Sequence, residues 1–371
     1  MFFKEVNSYL DGNLWGIGLI RTLLAISVVI AHSSLFLGYN IANGVVAVQV
    51  FYMFSGFYMF MILTERYAST AKFYKSRALR LYPTYLLVAA FALFIWLFFS
   101  IGTPGYIEKQ NIWNVLGIKE KIFIVFSNIT MFFQDVIMFM AVNPQTGTFY
   151  FTSNFYQEAM PAYKLLIVPQ AWTIGVELLF YLTVPFLVKR RNITLIAIVV
   201  TSIVLRFYMA KKGFGHDPWN YRFFPFEIGL FILGGLGYRA YARIQYLRNI
   251  NYISAAILVC VIISLFAFQF LPIGGNIKRL FSFYIAIGIS IPFIFHASRK
   301  SKYDRVIGEL SYPVYITHHI IATCSYLFFE KFTLELHERQ LFCIPIIFLS
   351  LLTSFLINKY IQQPIDLIRR R

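Results

Sequence analysis

Residues 15–38 read WGIGLIRTLLAISVVIAHSSLFLG. The run is apolar enough and long enough to cross a bilayer as a helix, which takes about 20 residues. It nevertheless carries Arg21 and His32. A cationic side chain near the middle of a spanning helix costs about 2.5–3.5 kcal/mol on insertion scales, so such residues face the protein interior and serve a purpose there. At 3.6 residues per turn the two positions are close to three turns apart, on one face of the helix and about 16 Å from each other along the axis. One helix thus holds a fixed cation near one membrane face and a titratable imidazole near the other.

The rest of the chain is built in the same way. Of its 371 residues 59% are hydrophobic, 19% aromatic and only 13% charged, with a mean hydropathy of +0.66. Soluble domains carry about 25% charged residues, so this is an integral membrane protein. Apolar runs recur from end to end, and residues 1–371 read as a single membrane-embedded domain. The net charge of +17 comes from Lys and Arg in short loops, as the positive-inside rule and anionic headgroups require, and does not indicate nucleic-acid binding. Cys260, Cys324 and Cys343 lie in apolar runs without a CxxC. They imply neither disulfides nor a metal site. The first span lacks a small-residue cleavage site and reads as a retained helix, preceded by a polar-mixed segment, 1–13, at the interface.

Ten spans are expected, at roughly 15–38, 44–63, 81–100, 172–188, 193–210, 223–241, 252–271, 280–297, 310–329 and 341–360. The loop before the third carries Arg66, Lys72, Lys75, Arg77 and Arg80, which puts it and both termini in the cytoplasm. Residues 122–142 are apolar but contain Asn128, Gln134 and Asp135. If this segment does not cross, 19 basic loop residues lie inside and 11 outside; if it does, the counts become 14 and 16. The asymmetry therefore favours an all-α polytopic bundle of about ten transmembrane helices, with 122–142 re-entrant or lying on the outer face between spans three and four. Residues 143–170, rich in Gly, Pro, Asn and Ser, form an outer loop long enough to shape a binding site.

Depth then suggests partners. His32 lies about six residues, and Glu177 about five, from the outer ends of their spans. A carboxylate on one imidazole nitrogen fixes the tautomer and makes the other nitrogen a better base; the same pair could instead simply tie two helices together. Arg21 lies toward the cytoplasm, as do Arg77 and Arg80, which share a helix face; guanidinium forks suit phosphate. For Arg77 and Arg80 the alternative is topology and snorkelling alone. Arg206 and Glu227 read as a structural ion pair. Ser55-Gly56 and the GLGG-like run 233–237 read as close helix packing.

Arg21 and His32, SGF (55–57), RALRLYPTY (77–85), PQAWTIGVELLFYLTVPFL (169–187) and GELSYPVYITHH (308–319), taken in that order, resemble the acyltransferase-3 family of integral membrane O-acyltransferases. The resemblance runs from Trp15 to the last span. It implies transfer of an acyl group, most often acetyl from acetyl-CoA, to a hydroxyl of a cell-surface glycan or lipid-linked sugar in a bacterial inner membrane, with His32 and Arg21 essential. In the family the Trp172 motif usually continues as Ser-Leu and ends in a Glu pair. Here Thr173 and Ile174 follow the tryptophan and Leu178 follows Glu177.

These readings give an expected site. His32, Glu177 and Arg21 are catalytic; Arg77, Arg80, Arg21, Tyr315 and His318 bind the donor; Trp172 and Ser55 meet the acceptor; no metal is involved. A sugar hydroxyl is a poor nucleophile at neutral pH, so an imidazole taking its proton is the expected device. Ser55, Tyr315 or Arg21 could stabilise the thioester oxygen. His318 could line the acyl path or bond a tyrosine in the core. The competing readings are a transporter of a lipid-linked sugar or anion, because buried Arg, His and Glu also mark permeation paths, and the same enzyme with a succinyl or longer donor.

Overall fold

A computed structural model of the chain describes residues 17–33, 38–67, 69–100, 103–271, 277–329 and 341–370. The expected interfacial segment 1–13 and both ends of the 15–38 span lie outside the described residues. Within them the helices are α1 (Gly18–Ser33), α2 (Gly44–Glu65), α3 (Thr70–Phe98), α4 (Pro104–Val115), α5 (Ile118–Thr130), α6 (Trp172–Leu187) and α7 (Asn192–Met209), then α8 (Phe224–Ile244), α9 (Ile250–Phe266), α10 (Ile277–Ser298), α11 (Lys302–Phe329), α12 (Cys343–Ile357) and α13 (Gln363–Arg370). A hairpin of β1 (Met140–Val142) and β2 (Phe149–Phe151) is the one sheet among the described residues. Six helical stretches there are long and apolar enough to cross a membrane: Gly44–Glu65, Thr70–Phe98, Pro169–Leu187, Asn192–Phe214, Lys278–Ser298 and Cys343–Arg369. Gly18–Ser33 and Ile250–Phe266 are shorter apolar helices. The chain is an all-α integral membrane protein.

Burial separates the core helices from those facing lipid. The apolar window of α2 is 78% buried, against 33% for α3 and 17% for the α7 stretch. Along α7 the exposed Ile193, Ile196, Val200 and Val204 recur every three or four residues, which makes one lipid-facing stripe. The central helix α2 packs mainly on α8, and glycines set the distance. A Cβ at Gly56 would collide with the Phe231 carbonyl, and one at Gly234 with the Met53 carbonyl. Both expected packing motifs are used, from opposite sides of one crossing.

The second close pair is α1 against α11. Gly308 approaches Gly18 so tightly that a Cβ on it would sit 2.6 Å from the Gly18 Cα. Asp304, in the first turn of α11, accepts from the backbone N–H groups of Gly18 (2.7 Å) and Leu19 (2.8 Å). A carboxylate there satisfies orphan donors and complements the positive end of the α1 dipole. Arg21 and His32 therefore stand on one continuous helix whose start is clamped. Arg206 and Glu227 form the expected buried ion pair at 2.6 Å, with Gln49 donating to both Glu227 oxygens at 3.1 Å.

Residues 122–142 are not one helix. The chain leaves α5 through Met131 and Phe133, both with left-handed backbones (φ 61° and 65°), makes a short turn at Gln134–Ile137 and enters β1. The polar residues that set this segment apart hold the break together. Asn128 donates to the carbonyls of Ile124 (3.0 Å) and Leu165 (3.2 Å) and accepts from the Ile167 amide at 2.8 Å. Gln134 donates to the Ser127 carbonyl and the Tyr85 hydroxyl, both at 3.1 Å. Buried non-helical backbone needs such partners.

Candidate active site

Where α1 begins, side chains from distant parts of the chain enclose a cavity of about 250 Å³. Its wall includes Arg21 on α1, Arg66 at the end of α2, Arg77 and Arg80 on α3, and Arg369 on α13, with Glu177 of α6 as the lone carboxylate lining it among the described residues. Arg77 is 8% exposed, and the Arg21 guanidinium lies 5.9 Å from the Tyr58 ring. The expected grouping of Arg21, Arg77 and Arg80 is present, and the fold adds Arg66 and Arg369. Five guanidinium groups around one carboxylate make a site for a polyanion.

Glu177 is not at the depth its place in the sequence suggests. Its carboxylate accepts from the Ser55 hydroxyl and, at 2.6 Å, from the Tyr181 hydroxyl. The reason lies upstream. In the turn Pro169–Ala171 both Gln170 and Ala171 are already buried, and Gln170 donates to the Ile316 carbonyl, midway along α11, at 2.8 Å. Helix α6 therefore starts inside the bundle, and Glu177 comes level with Ser55 near the middle of α2. The expected carboxylate–imidazole pair with His32 is replaced by a Ser55–Glu177–Tyr181 cluster in the cavity wall. Ser55, expected at the acceptor, is part of that wall.

Tyr315 also lines the cavity. Its hydroxyl accepts from Thr173 at 2.9 Å and donates to the Gln170 carbonyl at 3.2 Å, and its ring meets Phe51 edge-on at 6.3 Å. One turn further along α11, His318 is fully buried, outside the cavity wall and against α1. Its ring centroid is 5.1 Å from that of His32. This corrects the expectation that His318 lines the donor cavity, since an i, i+3 step carries it past the Tyr315 closure.

The two imidazoles share a feature. His32 Nδ1 lies 2.9 Å from the Val28 carbonyl and His318 Nδ1 lies 2.6 Å from the Tyr315 carbonyl. A carbonyl only accepts, so each Nδ1 carries the proton and each Nε2 is left as a base. The His318 Nε2 is buried without a hydrogen-bond partner, while His32 is exposed at the end of α1. Helical backbone thus does for His32 what the sequence assigned to Glu177.

Beyond His32 lies Arg222, close enough to bear on it electrostatically. Asp217 pairs with Arg222 through two contacts, 2.5 Å and 2.8 Å, and burial of the guanidinium is offset by this carboxylate, which holds its pKa above the ordinary value. Trp172 lies under it, with the guanidinium 4.3 Å from the ring centroid, and Tyr221 meets the indole edge-on at 5.1 Å. With only 5% of its surface exposed, Trp172 supports Arg222 and does not offer a face to the acceptor as expected.

Sequence reading missed Arg369, Asp304, Tyr181 and Arg222. Tyr181 stands one turn after Glu177, a spacing that could have suggested their hydrogen bond. Arg222 stands five residues after its partner Asp217, but its place over Trp172 shows only in the fold; Asp304 and Arg369 act across more than 280 residues of chain and leave no local pattern.

A membrane bundle with a cationic cavity at one end of a helix and a free imidazole base at the other fits group transfer within a membrane. The family model described as "Acyltransferase domain" matches residues 14–359, and the chain belongs to this acyltransferase-3 family. It is also similar to an uncharacterized protein of Aquifex aeolicus (strain VF5), 26% identical over 221 residues, covering 54% of this chain and 89% of that protein. No solved structure matches. The chain is thus a membrane acyltransferase.

Proposed function

We propose that the chain transfers an acetyl group from cytoplasmic acetyl-CoA to a hydroxyl of a cell-surface or lipid-linked glycan, with His32 as general base. The observation that carries this reading is the division of α1, with the arginine-walled cavity at its start and an imidazole with a free Nε2 about 16 Å further along. The phosphates of the coenzyme dock among Arg21, Arg77 and Arg80, and the thin pantetheine arm carries the thioester past Tyr315 toward His32. That passage requires the Tyr315–Thr173–Gln170 closure to open. Ten spans with both termini in the cytoplasm, in a bacterial inner membrane, would put the arginines on the coenzyme's side and His32 on the acceptor's.

In the transfer step His32 Nε2 takes the proton of the acceptor hydroxyl as its oxygen attacks the thioester carbonyl carbon. The carbon–sulfur bond breaks, and the imidazolium returns the proton to the departing CoA thiolate, so the imidazole is regenerated. His318 keeps His32 company on the acceptor side, and its own Nε2 accepts from a water held beside the acceptor hydroxyl. Glu177 with Ser55 and Tyr181 shapes the donor passage.

Proton NMR of the surface polysaccharide from cells making the wild type or His32→Ala tests the reading. The ester signals are expected to vanish in the variant while the glycan remains, and the same spectra distinguish acetyl from succinyl or longer chains. Loss of the glycan itself would mark a transporter, and unchanged ester signals would overturn the proposal.

A further inference from the structure

Two of the cavity arginines are left incompletely partnered, and one of them lies beyond the family match. Arg369 has a side chain only 6% exposed. Its Nη2 pairs with Asp366 at 2.9 Å, yet its Nε and Nη1 are buried with no hydrogen-bond partner among the described residues. Arg77 Nε is in the same state. Both side chains line the cavity, and Arg369 is within electrostatic reach of Arg77 and Arg80. Like charges buried together with open donors are costly unless an anion completes them.

Asp366 does not complete them. It meets the guanidinium through Nη2 alone, and the Nε–H and Nη1–H groups, which point to different sides of the plane's rim, stay open. Buried and open, each of these N–H groups is a charge-assisted donor for an oxygen of an anion such as a phosphate. Helix α13 delivers this group because α12 runs on into it through a π-helical stretch, Asn358–Gln362, which packs against α3, where Gln362 donates to Thr84 at 3.3 Å.

We propose that Arg369 and Arg77 together clamp a phosphate group of the donor's nucleotide, so that α13, outside the matched residues 14–359, is part of the donor site. The proposal rests on the reading that the donor is an acyl-CoA. Arg369 acts through binding: its fork sets how tightly the nucleotide is held and takes no part in the chemistry at the thioester.

The test uses the full-length protein in phospholipid-free detergent, tritiated acetyl-CoA as the probe, and unlabelled CoA or pantetheine as competitors. Arg369→Ala is expected to weaken acetyl-CoA binding by roughly tenfold to a hundredfold, the range for losing charge-assisted hydrogen bonds, while competition by pantetheine, which lacks the nucleotide, is unchanged. Arg369→Lys keeps the charge without the fork and is expected to fall between wild type and Arg369→Ala. Wild-type affinity in both variants would overturn the proposal, as would equal weakening toward CoA and pantetheine, the mark of a structural role. A defect that appears only when anionic phospholipid is added would assign the clamp to a lipid headgroup, which also overturns it. If CoA competes no better than pantetheine on the wild type, the acyl-CoA reading fails whatever Arg369 does.

Discussion

At the Arg21 end of α1, among the described residues, five arginines from four parts of the chain surround a single lining carboxylate. At the His32 end, two imidazoles face each other, and the neighbouring cation, Arg222, is already paired with Asp217. The first end keeps an excess of positive charge and a cavity to hold an anion. The second keeps two free Nε2 bases beside a spent charge. On the proposed reading, binding strength and proton transfer fall at opposite ends of one helix, with Tyr315 between them. A change at one end should leave the other working.

The largest effect is expected at the imidazole end. His32→Ala should lower transfer by about 10²–10⁴-fold with acetyl-CoA binding retained, as measured by product formation and equilibrium binding on the same preparation. Loss of donor binding in this variant would erase the distinction between the two ends. Arg77→Ala reverses the pattern: acetyl-CoA binding should weaken roughly tenfold to a hundredfold, and the maximal rate at saturating donor should change little.

Glu177 sharpens the comparison, because it was expected at one end and lies toward the other. A carboxylate paired with His32 would move the imidazole pKa by about 1–3 units. With Glu177 bonded to Ser55 and Tyr181, Glu177→Gln should leave the acid limb of the kcat/KM–pH profile within about half a unit of wild type, well below such a shift. A larger displacement would return Glu177 to the histidine.

A separate effect, on stability and not on transfer, belongs to the scaffold outside both ends. Burial pushes the Asp135 carboxyl up to about 6, and its Oδ1 has no hydrogen-bond partner. An acid whose folded pKa is raised weakens the fold as pH climbs from its unfolded value toward 6, and the loss then persists at neutral pH. Asp135→Asn should therefore stabilise the protein by about 2–3 kcal/mol at pH 7.5 and by little near pH 4. Thermal unfolding in detergent at the two pH values checks it.

Much of this arrangement is legible in the sequence because it is local. Arg21 and His32 announce themselves by their cost in an apolar run, Gly56 and Gly234 by their neighbours, and the break in 122–142 by Asn128 and Gln134. Depth was harder. Glu177 was placed by counting from the outer end of its span, and nothing local shows that Gln170 is already docked at Ile316. The partner of His32 was sought among carboxylates, but the tautomer is set by a carbonyl four residues back on its own helix, which every helical histidine has available. Arg369 was invisible because its meaning depends on where the helix that runs on from α12 packs against α3, almost 290 residues away in sequence.

The most direct measurement of the central claim uses sealed right-side-out membrane vesicles displaying the acceptor outside. Labelled acetyl-CoA loaded inside should modify the external acceptor, and the same donor supplied only outside should not. Acetylation of the acceptor by external acetyl-CoA in intact vesicles would contradict the assignment of donor and acceptor to opposite ends of α1.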